Sequence, residues 1–395
     1  MPLSLTNCVD NNQNSSFLDV INNYDWSSTS LGSIESWEPQ FKTVLQLCFK
    51  SIFPTYIYMG PDWTTVYNEA SIPVLKSKHP HALGKPAIEI WHESPELVTK
   101  LDRIRESGQG IYGYDFYLEA LRDGYREEVY FDYAFTPIYK SDGTIWGVVN
   151  MTTEVTQKVL NNRRLKTLNS LSLQTAGAES LEIACHTIMK TLQNNKDIPY
   201  ALIYIVENHN DPKTGLKSLI ARLVATTFDE ICKEDLANGK FKRHIPDYFP
   251  ETNETINLTK ISDQGNDNYI EVKLATSTYP FLKCDFWPIH LVMKEEKHIQ
   301  ILLNDNSQAI LLPSKLTFCN DRNLSAILIC GINPLRKLDD QYMEFYKLVL
   351  SSANKSLMQG MSIEEERRHS KILADLNHQK DTFFQNISHE LKSIE

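Results

Sequence analysis

The sequence has no long apolar run. Its longest apolar stretches, such as Ala326–Ile332, are strand-sized, well short of the roughly 18–20 residues a membrane-spanning helix needs. No basic segment followed by an apolar one opens the chain, so no secretory leader is expected and the location is read as cytoplasmic. Dense basic blocks are also missing: 40 Lys and Arg stand against 50 Asp and Glu, for a net charge of −10. Nucleic-acid binding needs a basic stripe to neutralise phosphates, and an anionic bilayer attracts polybasic segments. Neither nucleic acid nor membrane is therefore expected as a partner. The seven cysteines (Cys8, Cys48, Cys185, Cys232, Cys284, Cys319 and Cys330) are odd in number and scattered, with no C-x-x-C pair. This excludes a disulfide framework and the paired spacing of a zinc site, and it predicts buried, reduced thiols. No phosphate-cradling G-x-x-x-x-G-K-[ST] loop, haem-attachment motif or Ser/His/Asp arrangement occurs, which argues against a small-molecule-processing enzyme.

What is present is ordinary globular material. The chain has 395 residues, 42% hydrophobic and 23% charged, enough for two to three domains of about 100–200 residues each. The start, residues 1–24, is polar and is expected to be flexible. A helical pattern follows, with Phe41, Val44, Leu45 and Cys48 at i, i+3, i+4 and i+7. Tyr56–Met59 and Thr64–Tyr67 read as two strands around Gly60-Pro61-Asp62, and Asn68 is placed to cap a short helix starting at Glu69. Later, runs near 115–121, 126–139 and 144–152 surround Asp123-Gly124 and Ser141-Asp142-Gly143, the best short-range hairpin cues in the chain. In the long run, Val129, Phe131, Tyr133 and Phe135 alternate with Tyr130, Asp132 and Ala134. That period of two marks a sheet with one apolar face on a core. Trp63, Trp91, Trp146 and Trp287 are read as core residues, and His79, His81 and His92 as surface or structural histidines rather than haem ligands.

Residues 155–173 read as a polar connecting helix whose apolar heptad is broken by Arg164. A second region shows a helix at 181–192 and strands at 200–206, 218–226, 308–312 and 326–331. An Asn-rich stretch, 251–268, reads as a surface insertion, and a helix from Asp339 to about Leu357 closes the region. No Gly or Pro follows Gly360, so the tail is expected to continue that helix, with Glu364 and Arg368 as a favourable i,i+4 pair. Strands grouped between helices give the α+β class for both regions.

The tail carries Phe383-Phe384-Gln385-Asn386-Ile387-Ser388-His389-Glu390-Leu391-Lys392. At about 100° per residue, Phe384, Ile387 and Leu391 share an apolar stripe and His389 falls on the opposite, wet face. An imidazole partly neutral at cytosolic pH is a competent nucleophile towards a phosphoryl group, and a neighbouring carboxylate can accept its proton.

This stretch resembles the H-box of histidine kinases. The resemblance implies His389 as phosphoacceptor and Glu390 as its acid/base partner. Upstream, Glu154-Val155-Thr156 is similar to the Asp-x-Thr signature that closes many PAS domains, with Glu in place of Asp. Asp25-Trp26-Ser27, Leu31-Gly32, Trp37, Tyr67-Asn68 and His79-Pro80 through Leu83-Gly84 resemble the PAS module of PAS–GAF hybrid kinases. Gly331-Ile332-Asn333-Pro334 with Leu338-Asp339 and Tyr342 resembles the last strand and helix of their GAF domain. The implied organisation is a PAS-like antiparallel sheet domain at 25–157, a connecting helix at 158–173, a GAF-like antiparallel sheet domain at 174–355, and a signalling helix with H-box at 356–395.

In the family the box continues Arg/Lys-Thr-Pro-Leu; here it reads Lys392-Ser393-Ile394-Glu395. The second dimerisation helix and the ATP-binding domain have no counterpart, so self-phosphorylation is not expected, no cofactor is evident, and ATP would enter only through a catalytic domain absent from this chain. The implied partners are a second copy or a full-length kinase, and a response-regulator receiver domain. The competing expectation is a non-catalytic PAS–GAF regulatory protein.

Overall fold

A computed structural model describes residues 17–92, 94–122, 124–210, 217–228, 246, 250, 253–259, 269–317 and 323–392, with the backbone alone for Leu18, Asn323 and 385–392. The chain divides into two compact units, 1–159 and 160–395.

The first unit opens with α1 (Phe17–Asn22) and α2 (Pro39–Lys50). Proline at the start of α2 suits a first turn whose N–H groups have no helical partner, and Phe41, Leu45 and Cys48 bury its apolar face. Then come β1 (Thr55–Met59), β2 (Thr64–Tyr67), α3 (Ile72–Leu75), α4 (Ala87–Ile90), α5 (Glu96–Ser107), β3 (Ile111–Arg122), β4 (Tyr125–Tyr139) and β5 (Ile145–Glu154). The strands form one antiparallel sheet in the order β2-β1-β5-β4-β3. Arg122 pairs with Tyr125 across the β3–β4 turn, where Gly124 sits at φ +86°. That left-handed position is why the turn carries glycine.

One local expectation fails here. Asn68 precedes a single 3-10 turn, Glu69–Ser71, and its side chain does not cap it. Instead Asn68 is buried, and Nδ2 donates to the carbonyls of Cys48, Ser51 and Phe53 at 2.8–3.1 Å. Oδ1 accepts from the Thr55 amide and the Ser71 hydroxyl. Of these carbonyls only that of Cys48 also accepts a helix-end amide, from Ser51, and satisfying several buried acceptors outweighs one cap.

α6 (Thr156–Gln174) begins in the first unit and ends in the second. The second unit continues with α7 (Leu181–Leu192), capped by the Ser180 hydroxyl accepting from the Ile183 amide. Next are β6 (Ala201–Asn210), β7 (Lys217–Thr226), β8 (Thr255–Asn257), β9 (Ile270–Val272), β10 (Phe281–Cys284), α8 (Ile289–Glu295), β11 (Ile299–Leu303), β12 (Gln308–Thr317), β13 (Asn323–Gly331) and α9 (Asp340–Lys392). The sheet order is β8-β7-β6-β13-β12-β11-β10-β9, antiparallel except for the β10–β11 pair. Both of its faces are covered. Ile203, Ile205, Ile310 and Leu328 join α7 and α9 in one core, while Leu202, Tyr204, Leu311 and Ile327 face a second one around Trp287. Burial on both faces explains why these strands read as continuous apolar runs. The stretch expected as a surface insertion contributes edge strand β8, and its residues 260–268 lie outside the described set.

α9 runs unbroken for 53 residues, so the closing helix and the tail are one element, as the sequence predicts. Its first half packs on the sheet through Tyr342, Tyr346 and Val349. Gly360 lets it pass the start of α7: a Cβ there would lie 2.4 Å from the Ser180 carbonyl oxygen. The expected Glu364–Arg368 pair does not form. Glu364 accepts from the Leu181 amide at the open end of α7, and Arg368 pairs with Glu365 at 3.8 Å. The first-turn amides of a helix attract a carboxylate, and Glu364 meets one that the Ser180 cap does not take.

Candidate functional site

Two places are candidates, one in each unit. In the first unit, β1, β3, β4, β5 and α5 line a half-open cavity of about 100 Å³. Phe131, Tyr133 and Phe135 on the inward period-two face of β4, with Phe116 paired to Phe131 from β3, supply ring walls. Three polar atoms in this lining are buried without a hydrogen-bond partner: the Tyr56 hydroxyl, Trp91 Nε1 and Asn150 Oδ1. An unpaired buried polar atom costs about 1–3 kcal/mol. Three such atoms cluster around this one cavity. The Tyr58 hydroxyl lies near Asn150 and Trp91, and the Tyr56 hydroxyl near Ser71, but none of these approaches makes a hydrogen bond of proper geometry. Burial pushes the Tyr56 and Tyr58 phenols well above their usual range, so both stand in the cavity as neutral groups.

The cavity is wired to the chain's exit from the sheet. Asn150 and Thr152 line it from β5, and the same strand ends at Glu154. There Arg122 Nη1 bonds both Glu154 oxygens at 3.1 and 3.0 Å, and its guanidinium stands 5.8 Å from the ring centre of Phe131, a cavity wall. The Thr156 hydroxyl donates to Glu154 Oε1 at 2.9 Å and accepts from the Tyr130 amide at 3.0 Å. The Glu154-Val155-Thr156 signature thus ties the first turn of α6 to the strands that wall the cavity.

At the other place, α9 carries its backbone through His389 and Glu390 to Lys392. The side chains of His389 and Glu390 lie outside the described residues. Phe383 and Phe384, at the start of the motif, are exposed, as are Ile372, Leu373 and Leu376 before them.

The remaining sequence candidates separate cleanly. His79 Nδ1 lies 2.9 Å from the Tyr67 hydroxyl, His81 and His92 are exposed, and none of the three lines the cavity. Trp63 is core, with Nε1 bonded to Asp102 and the Arg105 guanidinium over its ring. Trp146 and Trp287 also pack in cores. Trp91 packs against the same core as Trp63 and Trp146 and also borders the cavity, with its Nε1 buried and unpaired. Cys48, Cys185, Cys284 and Cys330 are buried free thiols, while Cys8, Cys232 and Cys319 lie outside the described residues. Tyr56, Asn150 and Thr152 are cavity residues that no sequence motif singles out. The available signal was polar Asn150 and Thr152 recurring on the inner face of a strand that also carries Val148. Among the described residues, no helix is long and apolar enough to cross a membrane.

No family model matches the chain. Among solved structures, it is similar to the PAS domain of a Colwellia psychrerythraea protein, at 12% identity over 30% of this chain and 98% of that one, TM-score 0.24. A sensory box sensor histidine kinase from Vibrio cholerae matches at 22% identity over 30% of this chain and 92% of that one, TM-score 0.21. The GAF domain of an Acinetobacter phosphoenolpyruvate-protein phosphotransferase matches at 9% identity over 50% of this chain and 94% of that one, TM-score 0.28.

Proposed function

We propose that this chain is the sensory and phosphoacceptor portion of a two-component histidine kinase. A small molecule enters the cavity of the PAS-like unit, and His389 takes a phosphoryl group that passes on to a receiver domain. The observation that carries the input half is the cluster of three unpaired buried polar atoms in one apolar cavity. Occupancy changes the packing of Phe131, Asn150 and Thr152, and the Arg122–Glu154–Thr156 bonds pass that change to the start of α6. The output half rests on the H-box resemblance, placed at the end of a helix whose first half is anchored in the second unit's core. Glu390 serves His389 as proton acceptor during transfer.

The exposed apolar residues Ile372, Leu373, Leu376 and Phe383 favour a second reading, in which α9 pairs with another copy or with a full-length kinase and the protein regulates without accepting phosphate. One experiment separates the two. The chain is incubated with labelled ATP and a separate histidine-kinase catalytic domain, with His389→Ala alongside. Acid-labile, base-stable label lost in His389→Ala supports phosphoacceptor function. Equal labelling of both proteins, or none, sinks it and leaves the pairing role.

A further inference from the structure

The cavity's polar groups are unequal in kind. The Trp91 N–H only donates, the Tyr56 hydroxyl donates readily, and Asn150 Oδ1 only accepts. A fourth lining group, Lys100, adds a positive charge. Its ammonium stands 3.8 Å from the ring centre of Phe116 and 5.0 Å from that of Tyr133, and it is half-buried. Among the described residues it has no carboxylate within ion-pair distance. Two neutral rings compensate an ammonium far less than a carboxylate does. Glu96, one turn earlier on α5, also borders the cavity, but it is exposed and its charge faces water. Among the lining residues Lys100 is the one cation, while the hydroxyls of Tyr58, Ser94, Tyr133 and Thr152 can both donate and accept.

Size narrows the occupant further. A cavity of about 150 Å³ holds benzene, so about 100 Å³ holds roughly four to six non-hydrogen atoms. We propose that the cavity binds a small monocarboxylate of that size, with its carboxylate between Lys100 and Trp91 and its short apolar body against Phe131 and Phe135. A hydroxyl on that body would complete Asn150. This rests on the cavity being the input site.

The test uses the full chain with 15N-labelled tryptophan, the Trp91 indole N–H resonance being assigned by its loss in Trp91→Phe. Propionate, lactate and pyruvate are titrated beside propionamide, the neutral match of propionate. The expected result is a shift of the Trp91 resonance and at least tenfold tighter binding of propionate than of propionamide. In Lys100→Gln that difference is lost and propionamide binding is unchanged; the residue is only half-buried, so the variant folds, as its circular dichroism will show. Propionamide binding as tightly as propionate, or propionate affinity unmoved in Lys100→Gln, overturns the carboxylate class and leaves the cavity an input site. No movement of the Trp91 resonance with any of the four probes overturns both.

Discussion

Asp197 is fully buried, yet it is an ionisable residue in the loop after α7. Arg163 of α6 holds its carboxylate through Nε and Nη2, both at 2.7 Å, and Arg164 lies 3.6 Å away with its guanidinium over the Tyr342 ring. The hydroxyls of Tyr342 and Tyr346 on α9 donate to the Asp197 carbonyl. Arg164, the residue that breaks the apolar heptad in the sequence, is thus a buried partner. Breaking a buried pair strands the remaining charge at a cost of about 3–5 kcal/mol. Asp197→Asn is expected to lower unfolding stability by that amount, read from the urea midpoint at constant slope. The thiols give a pH prediction. Burial pushes Cys48, Cys185 and Cys284 up to about 12. A group whose folded value is raised stabilises the fold fully below its unfolded value, near 8.5–9, and loses that contribution as pH climbs towards 12. The urea midpoint should therefore fall steadily above about pH 9, with the thiols unreactive to iodoacetamide at pH 8 in the folded protein. Rapid alkylation of Cys48 at pH 8 would contradict this.

At the scale of elements, the hairpins were legible because Asp-Gly and period-two alternation are local signals. The strands missed in the sequence, β8 to β11, are three to five residues long, and their pairing is decided by neighbours far along the chain. Two predictions belong here. A side chain at Gly360 meets the Ser180 carbonyl, so Gly360→Val should cost about 1–3 kcal/mol through overpacking, seen as a lower midpoint for the second unit. Arg122→Met removes the charge that Glu154 and Glu127 pair with. Amide exchange at Thr156–Val159 should then speed up several-fold while β1 and β2 stay protected. Unchanged exchange would mean that the signature does not hold α6.

For the whole molecule, the two units have separate cores: one runs from Phe17 to Val148, the others from Leu171 to Leu357. A core complete within one stretch of chain predicts independent folding. A fragment of residues 17–159 should unfold in a single cooperative urea transition, with coincident fluorescence and circular dichroism. A non-cooperative profile would show that the second unit is needed.

By itself the sequence determined the α+β class, the hairpins, the long terminal helix and the motif around His389, because turn residues, periodicity and short motifs are local. Only the tertiary structure decided what the polar residues do. Asn68 left its cap for a buried loop, Glu364 left Arg368 for a helix end, and Tyr56, Trp91 and Asn150 came together from three separate segments around one cavity. Burial and partner choice depend on contacts between distant parts of the chain, and no window along the sequence contains them.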